Sequence, residues 1–357
     1  MRRLLVTLVL PVLLLFAAST ETRAQSAKLY VCNQGEATVS VIDMASMSVE
    51  AKVNLQNLGF SENAKPHHAV AGPDGKHWYL TMIGENTILK FNQKNQIVGR
   101  ITDFEVPGLL AIDSGSNRLY AGRSMSAVDP PKSLGVINRD EMTVTKRVGT
   151  FFPRPHALAV RDDGTQAFIA SLATNQLMGI NTETEETKLT RLGGDTQTLV
   201  QFAATPDGNT LIAGGQKTGQ LLIFDASQAP SLTVEDTVQV GKQPWHPVIS
   251  GDGTTAYVPN KASNTVSVVD LESRTVTATI EGDGLAQPHG AVLSPDGRHL
   301  FVSNNNRNGT YTPTDDNPDA GTITVIDTET NEITKVIEVG TYPTGIGTFG
   351  GQRAMMP

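Results

Sequence analysis

Short apolar runs recur along the chain from Lys28 onward, separated by clusters of Gly, Pro, Asn and Asp. The repeating unit has a proline with a short apolar strand, a tight turn, and a second strand such as Leu29-Tyr30-Val31. A third strand such as Thr38–Asp43 (TVSVID) follows, and a polar turn leads into a fourth strand. Alternating apolar and polar residues over runs this short predict β-strands. A repeat of roughly 40 to 55 residues predicts four strands per unit, as in the blades of a propeller.

Seven first strands and seven third strands are present, but the two series are out of step. The third strand at Thr38–Asp43 precedes every opening, and the last opening has no unit after it. The C-terminal strand is therefore expected to join the N-terminal blade, which would leave no exposed sheet edge. The fold class is predicted as all-β, a seven-bladed β-propeller with four-stranded antiparallel blades, and residues 25–357 as a single domain. The openings begin at Pro66, Pro107, Pro155, Leu199, Pro244, Pro288 and Pro343.

Two turn signals repeat with the unit. Asp-Gly follows most first strands, for example at Asp74-Gly75 and Asp296-Gly297, and is a strong hairpin signal between apolar runs. Every third strand ends in Asp or Asn, whose short side chain can bond the backbone two residues on and set the next turn. These Asx residues have a structural explanation and are not expected to be catalytic. They are Asp43, Asn92, Asn138, Asn181, Asp225, Asp270 and Asp327.

The units around Leu29–Asn33, Asn264–Asp270 and Ser294–Gly297 resemble the YVTN β-propeller repeat. The resemblance covers essentially the whole chain after the leader and implies the propeller fold. It implies little about function, because that family includes binding proteins, surface proteins and enzymes.

The N-terminus predicts export. Arg2-Arg3 is followed by an apolar stretch from Leu4 to Ala18, and small residues precede Gln25, so residues 1–24 are interpreted as a secretory signal peptide. A periplasmic or secreted protein is expected, without membrane insertion. The formal charge of −8 and the lack of basic runs argue against nucleic acid as a partner. The single cysteine, Cys32, is interpreted as a small buried hydrophobe rather than a reactive thiol.

Five of the seven histidines lie just after the opening of a first strand, where blades converge on the channel mouth. Imidazole binds zinc, copper and iron, and a set of imidazoles without carboxylate or thiolate favours copper, then zinc. Two alternatives stay open: a site for a non-metal ligand, and histidines held by neighbouring carbonyl or hydroxyl groups. The candidates are His67, His68, His156, His246 and His289.

The His67-His68 pair and Pro288-His289-Gly290 also resemble histidine motifs in the propeller domain of nitrous oxide reductase. That resemblance implies copper held by the same five histidines. Gly108, Gln201 and Thr344 stand where further histidine ligands would be expected, so it implies a mononuclear or reduced copper site.

Two long segments, Ser124–Leu134 and Asn304–Gly321, are expected to rise from the face that carries the histidines, and long loops on a compact scaffold are often functional. The acidic group in the second segment is a candidate for Ca²⁺, and a solvated lid is the alternative. Trp245 is a candidate wall of the site, or else packs between blades. The candidate ligand or partner residues are Trp245, Arg307, Tyr311, Asp315, Asp316 and Asp319.

The leading functional hypothesis is an exported binding protein that presents a histidine-rich channel mouth and two loops to a small ligand, a metal or a periplasmic protein partner. One alternative is an oxidoreductase using copper, then zinc or haem in order of preference, or a subunit of a periplasmic redox complex. Another is a surface scaffold without ligand chemistry. The sequence contains no G-x-S-x-G, Walker, C-x-x-C-H or H-E-x-x-H motif, so enzymatic activity is left open.

Overall fold

A computed structural model of the protein describes residues 27–314 and 316–348. The predicted signal peptide, residues 1–24, lies outside this range, as does Asp315. The described chain forms seven four-stranded antiparallel sheets, which confirms the predicted blades. Two short 3-10 turns, Gln56–Leu58 and Ile83–Glu85, interrupt the strands. Within the described residues, no helix is long and apolar enough to cross a membrane.

The strands of each blade are given from the channel outward. Blade 1 contains β28 (Pro343–Thr348), β1 (Lys28–Asn33), β2 (Thr38–Asp43) and β3 (Ser48–Asn54); blade 2 contains β4 (Pro66–Ala71), β5 (His77–Met82), β6 (Thr87–Asn92) and β7 (Ile97–Ile101). Blade 3 contains β8 (Pro107–Ile112), β9 (Arg118–Arg123), β10 (Ser133–Asn138) and β11 (Thr143–Gly149); blade 4 contains β12 (Pro155–Val160), β13 (Gln166–Ser171), β14 (Gln176–Asn181) and β15 (Thr187–Arg191). Blade 5 contains β16 (Leu199–Ala204), β17 (Thr210–Gly215), β18 (Gln220–Asp225) and β19 (Thr233–Gln239). Blade 6 contains β20 (Val248–Ile249), β21 (Thr255–Asn260), β22 (Thr265–Asp270) and β23 (Thr275–Ile280); blade 7 contains β24 (Pro288–Leu293), β25 (His299–Asn304), β26 (Ala320–Asp327) and β27 (Ile333–Thr341).

The ring closes through the C-terminal strand. β28 pairs antiparallel with β1, with Gly347 opposite Tyr30 and Thr348 opposite Leu29. The innermost strand of each blade also contacts the inner strands of the next blade around the ring. The predicted closure, in which the C-terminal strand joins the N-terminal blade, is therefore confirmed.

The core consists of seven apolar clusters, each between two neighbouring blades. Between blades 1 and 2, Trp78 is fully buried and stacks between Tyr30 and Phe91, with ring centroids 4.5 and 4.0 Å away. Cys32 lies in the same cluster with no exposed surface, and burial raises the pKa of its thiol far above its usual range. This matches the interpretation of Cys32 as a packing residue.

The chain enters every innermost strand through the same backbone turn. The residue before each opening has a left-handed backbone, with φ between 46° and 59°, and its carbonyl accepts an N–H from the residue after the second strand. In every blade except blade 6, a β-bulge follows within the first three or four positions of the strand. Bulges redirect side chains, and in these six blades they turn the residues after the opening towards the channel axis. The seven left-handed residues are Lys65, Val106, Arg154, Thr198, Gln243, Gln287 and Tyr342.

Blade 6 departs from the others at its opening. The sequence predicts a strand from Pro244 to Val248, but β20 begins only at Val248, and Pro244 keeps a single bridge to Asn260. Pro247 lies between them and has no N–H to donate to the ladder, which explains the interruption.

Candidate functional site

The central channel contains a cavity of about 230 Å³ that is lined by residues from all seven blades. Its walls are mostly aliphatic side chains, such as Val70, Leu110 and Leu158. One end is formed by the polar side chains of His68, Gln201 and His246. The other end is bordered by residues at the Asp-Gly turns, including Pro73, Asp162 and Pro295, and by Ser114 at the equivalent turn of blade 3. The cavity therefore combines an apolar shaft with a polar floor.

The two ends of the channel differ in exposure. In β4, β8 and β12 the first four residues are buried and the last two are partly exposed. The five candidate histidines are only 4 to 6% exposed. The channel thus opens at the face of the Asp-Gly turns and is closed where the sequence predicted an open histidine-lined mouth. The reason is steric, because imidazoles from four blades converge there and fill the narrow end.

All five histidines come together in what we call the histidine cluster. His67, His156 and His289 are each the first residue after an opening, whereas His68 and His246 are each the second. The ring centroids of His67 and His156 lie 5.8 Å apart, and those of His246 and His289 lie 4.9 Å apart. His68 and His246 face each other across the axis at 6.4 Å. The sequence-based expectation that these residues converge is met by this geometry.

Part of the cluster is held by hydrogen bonds. Nδ1 of His68 accepts the backbone N–H of Leu110 at 3.2 Å. Nδ1 of His156 lies 2.7 Å from the Ser124 hydroxyl, and Nδ1 of His67 lies 3.3 Å from Oε1 of Gln34. Three buried ring nitrogens have no partner among the described residues: His67 Nε2, His246 Nε2 and His289 Nδ1. Structural bonding therefore accounts for some of the cluster, and the unpartnered nitrogens require another explanation.

The histidines are electrically neutral near pH 7. Burial lowers the pKa of His67 to about 4. Burial, followed by repulsion from His67, lowers the pKa of His68 to about 3. Burial also holds the pKa values of His156, His246 and His289 well below the usual range, and the neighbouring histidines, with Arg154 or Lys261, further disfavour a charge on each ring. Desolvation disfavours the charged imidazole in each case.

Neutral imidazole is the form that binds metal ions, so the donor chemistry suits copper or zinc. The positions of the five side chains are less suitable for holding a metal ion. Within the described part of the chain, no three histidine, cysteine, aspartate or glutamate side chains are arranged to hold one metal ion. Metal–nitrogen bonds of about 2.0–2.1 Å would require the rings to shift from their present positions. The copper site stays a prediction.

The other predicted site residues are dispersed. Trp245 packs beside His289, with ring centroids 5.1 Å apart, and Arg307 stacks on Tyr342. Tyr311 donates its hydroxyl to Glu338 on the outermost strand of blade 7, at 2.7 Å. Its loop, between β25 and β26, is thereby tied to the periphery of the blade. Asp316 and Asp319 are exposed on the same loop, and the Ca²⁺ hypothesis also involves Asp315, which is not described.

One residue near the cluster has no counterpart in the sequence-based prediction. The ammonium of Lys261 lies 4.4 Å from the ring centroid of Trp245. Burial, with Arg307 nearby, lowers the pKa of Lys261 to about 8. A single lysine in a polar loop gives no signal in the sequence, because its position depends on Trp245, sixteen residues earlier, in the segment that precedes β20.

A profile of the lactonase, seven-bladed β-propeller family matches residues 96–345, well over half of the chain. The chain belongs to this family. Membership agrees with the fold described above, and the narrower resemblance to YVTN-repeat proteins stays a prediction. No curated protein sequence matches this propeller.

Solved structures with the same fold are distant in sequence. A protein of unknown function from Desulfotomaculum acetoxidans DSM 771 is 14% identical with a TM-score of 0.72, and the match covers 91% of this chain and 99% of that one. Dihydro-heme d1 dehydrogenase NirN in complex with DHE is 12% identical with a TM-score of 0.60, covering 91% and 76%. Hydrazine synthase of Kuenenia stuttgartiensis is 17% identical with a TM-score of 0.61, covering 74% and 77%. These likenesses show the fold alone.

The polar groups at the floor of this lactonase-family propeller are held neutral. Burial lowers the pKa of His68 to about 3 and holds that of His246 well below its usual range. These groups can donate and accept hydrogen bonds, because neutral imidazole and the Gln201 amide each carry both functions.

Proposed function

We propose that the protein is a binding propeller that takes a small, largely apolar molecule into its central channel from the face of the Asp-Gly turns. The observation that carries this proposal is the channel itself, a cavity of about 230 Å³ open at one end and floored by His68, Gln201 and His246. Concave sites with apolar walls and a few convergent polar groups are typical of small-molecule binding. One structural neighbour, the dihydro-heme d1 dehydrogenase, is itself in complex with a compound, DHE.

The chemistry of the cavity indicates which ligand would fit. Burying aliphatic surface against Val70, Leu110 and Leu158 would supply affinity, at roughly 25 cal/mol per Å² removed from water. A carbonyl or hydroxyl at the leading end of the ligand would meet the floor. His246 is available there, because its Nε2 is buried without a partner in the described chain. An alkyl lactone, with an apolar tail and one polar ring, has this character.

The test uses γ-nonalactone as the probe, with binding measured by calorimetry and ring opening measured in a pH-stat. Binding to the wild-type protein and at least tenfold weaker binding to His246→Leu are expected. Replacing the exposed Lys94 by Ala provides a control far from the channel. Absence of binding by γ-nonalactone, or equal affinity in His246→Leu, would refute the proposal. Lactone hydrolysis that requires His246 would identify a lactonase instead of a binding protein.

We also propose that this propeller works outside the cytoplasm, in a periplasm or in the medium. The support is the sequence pattern of residues 1–24, a positive start followed by an apolar stretch. Expression with the natural N-terminus, followed by cell fractionation and N-terminal sequencing, tests this. Export and a mature protein beginning at Gln25 are expected, whereas an uncleaved chain in the cytoplasm would contradict the proposal.

A second candidate function is copper binding by the histidine cluster. It is favoured by the unpartnered nitrogens of His67, His246 and His289, all buried and neutral at pH 7. These three side chains would hold the ion after a shift of their rings, and copper would supply redox chemistry. Metal content after copper loading and desalting tests the idea, with the His67→Ala/His289→Ala double variant beside the parent. A parent that retains no metal would exclude this candidate.

A further inference from the structure

One position in the repeating unit contacts a histidine of the next blade in more than one blade. The residue directly after the second strand of a blade faces the histidine that opens the next blade. Gln34 of blade 1 approaches His67 of blade 2, and Ser124 of blade 3 approaches His156 of blade 4. In both cases a side-chain oxygen lies next to the histidine's Nδ1, so the fold supplies its partner.

Lys261 occupies this same position in blade 6. Its backbone N–H bonds the carbonyl of the left-handed residue Gln243, as the N–H groups of Gln34 and Ser124 bond the equivalent carbonyls. The histidine that opens the next blade is His289, which is 4% exposed. Lysine has no acceptor atom to offer, and Nδ1 of His289 has no partner among the described residues. The oxygen present in the other two blades is therefore missing here.

The groups around this gap are hydrogen-bond donors. The buried indole N–H of Trp245 has no partner in the described chain, and its ring lies 5.1 Å from that of His289. The Lys261 ammonium lies over the Trp245 ring at 4.4 Å, and the Arg307 guanidinium lies over Tyr342 at 4.9 Å. Within the described residues, neither Lys261 nor Arg307 forms a salt bridge. Two cations held on aromatic faces, without a carboxylate, leave uncompensated positive charge.

We propose that Lys261, His289, Trp245 and Arg307 form a binding site for a small oxyanion, such as a carboxylate or phosphate group. The anion's oxygen would lie beside Nδ1 of His289, where the oxygens of Gln34 and Ser124 lie beside the corresponding histidines, and would accept its N–H as Oε1 of Gln34 accepts that of His67. Arg307 is exposed, and Trp245 and Lys261 are partly exposed, so the site is reached from the face opposite the channel opening. The site does not depend on a ligand in the channel, and each proposal can fail without the other.

The intrinsic fluorescence of Trp245 reports on this site. The chain has two tryptophans, and Trp78 is fully buried between two aromatic rings. Sodium benzoate and inorganic phosphate are titrated at pH 7 and constant low chloride, with benzamide as the neutral analogue of benzoate. A saturable change in emission with benzoate, phosphate or both is expected, together with no change for benzamide. No response to either anion, or an equal response to benzamide, would overturn the proposal.

The decisive variant is Lys261→Gln, because it gives blade 6 the glutamine that blade 1 has at the equivalent position, Gln34. The new amide should bond Nδ1 of His289, so the protein should stay folded. Its affinity for the anion should fall at least tenfold, which is the loss typical of one charged hydrogen bond. Lys261→Arg should keep binding within a few-fold. Lys242→Gln removes the same charge from an exposed position nearby and should bind like the parent. If Lys261→Gln and Lys242→Gln bind equally well, the site does not exist.

Discussion

The imidazoles of His68 and His246 come from blades that are three positions apart in the seven-membered ring, yet their ring centroids lie only 6.4 Å apart. This contact across the axis closes the channel from one side. His289 packs against His246, His67 packs against His156, and all of these imidazoles are buried. Neutral imidazoles therefore fill this end of the channel. Their protonation should change both the shape of the ligand cavity and the stability of the fold.

The cluster predicts that the protein loses stability as the pH falls from about 6.5 to about 4.5. In the unfolded chain histidine has a pKa of about 6.5, whereas His67 and His68 in the fold have pKa values of about 4 and 3. Below pH 6.5 the unfolded state therefore binds protons that the folded state does not. Each such histidine should lower the free energy of unfolding by up to about 1.4 kcal/mol for every pH unit below 6.5. Thermal melting between pH 8 and 4.5 measures the effect, and a flat profile would contradict it.

The matched variant for this experiment is His68→Gln. Gln201 already accepts the backbone N–H of Leu158 through its amide oxygen, at 3.2 Å, as His68 accepts that of Leu110. A glutamine at position 68 can make the equivalent bond without titrating. The variant should be folded at pH 7.5 and should melt with a weaker dependence on pH. His299→Gln, at a partly exposed histidine after an Asp-Gly turn, should keep the parental profile.

Blocking the channel should abolish binding in the cavity without unfolding the ring. Ala159 lines the cavity near its open end and is partly exposed, and it also packs against the apolar cluster between blades 4 and 5, so Ala159→Phe would narrow the shaft at some cost in packing. Affinity for γ-nonalactone should fall at least tenfold, whereas the protein should still unfold in one cooperative transition. Ala159→Ser keeps the volume and should bind like the parent. Equal binding in the phenylalanine variant would place the ligand elsewhere.

Local features of the blades are well predicted by the sequence. All seven Asx residues that end third strands accept backbone N–H groups from the following turn, for example Asn92 from Lys94 and Asp327 from Thr330. The closing strand at Pro343 follows from counting strands. These features depend on residues close in sequence or on the periodicity of the repeat.

Features that depend on the whole ring are not predicted. Val106 is β-branched and precedes a proline, and both properties favour an extended backbone, yet its φ is 46°. The repeated turn into the channel overrides that preference. The depth of the histidines and the stacking of Lys261 on Trp245 likewise follow from how far side chains reach between blades. No local pattern encodes those distances.

A methyl group at Gly108 should displace the hydrogen bond that positions His156. A Cβ at this residue would lie 2.3 Å from the Ser124 hydroxyl and 3.2 Å from Nδ1 of His156. Gly108→Ala should lower the free energy of unfolding by about 1–3 kcal/mol, as expected for overpacking. In the background of Ser124→Ala the hydroxyl is absent, so the same substitution should cost less. Urea unfolding of the double-mutant cycle measures this coupling, and additive effects would show that the two positions act independently.

Closure of the ring should be most sensitive at Gly347 of β28. A Cβ there would lie 2.1 Å from the carbonyl oxygen of Ala69 and 2.7 Å from its carbon, so the obstacle is the backbone of blade 2. Backbone cannot rotate away as a side chain can, and Gly347→Ala should therefore reduce stability by more than the Gly108 variant, or populate an open ring in which β1 keeps only β2 as its partner. Gly149→Ala is the control, because a Cβ at that residue would have no neighbouring heavy atom within 4 Å in the described chain. Unfolding free energies and sedimentation analysis distinguish the outcomes. A Gly347→Ala protein as stable and monomeric as the Gly149→Ala control would show that β28 can seal the ring without this close approach.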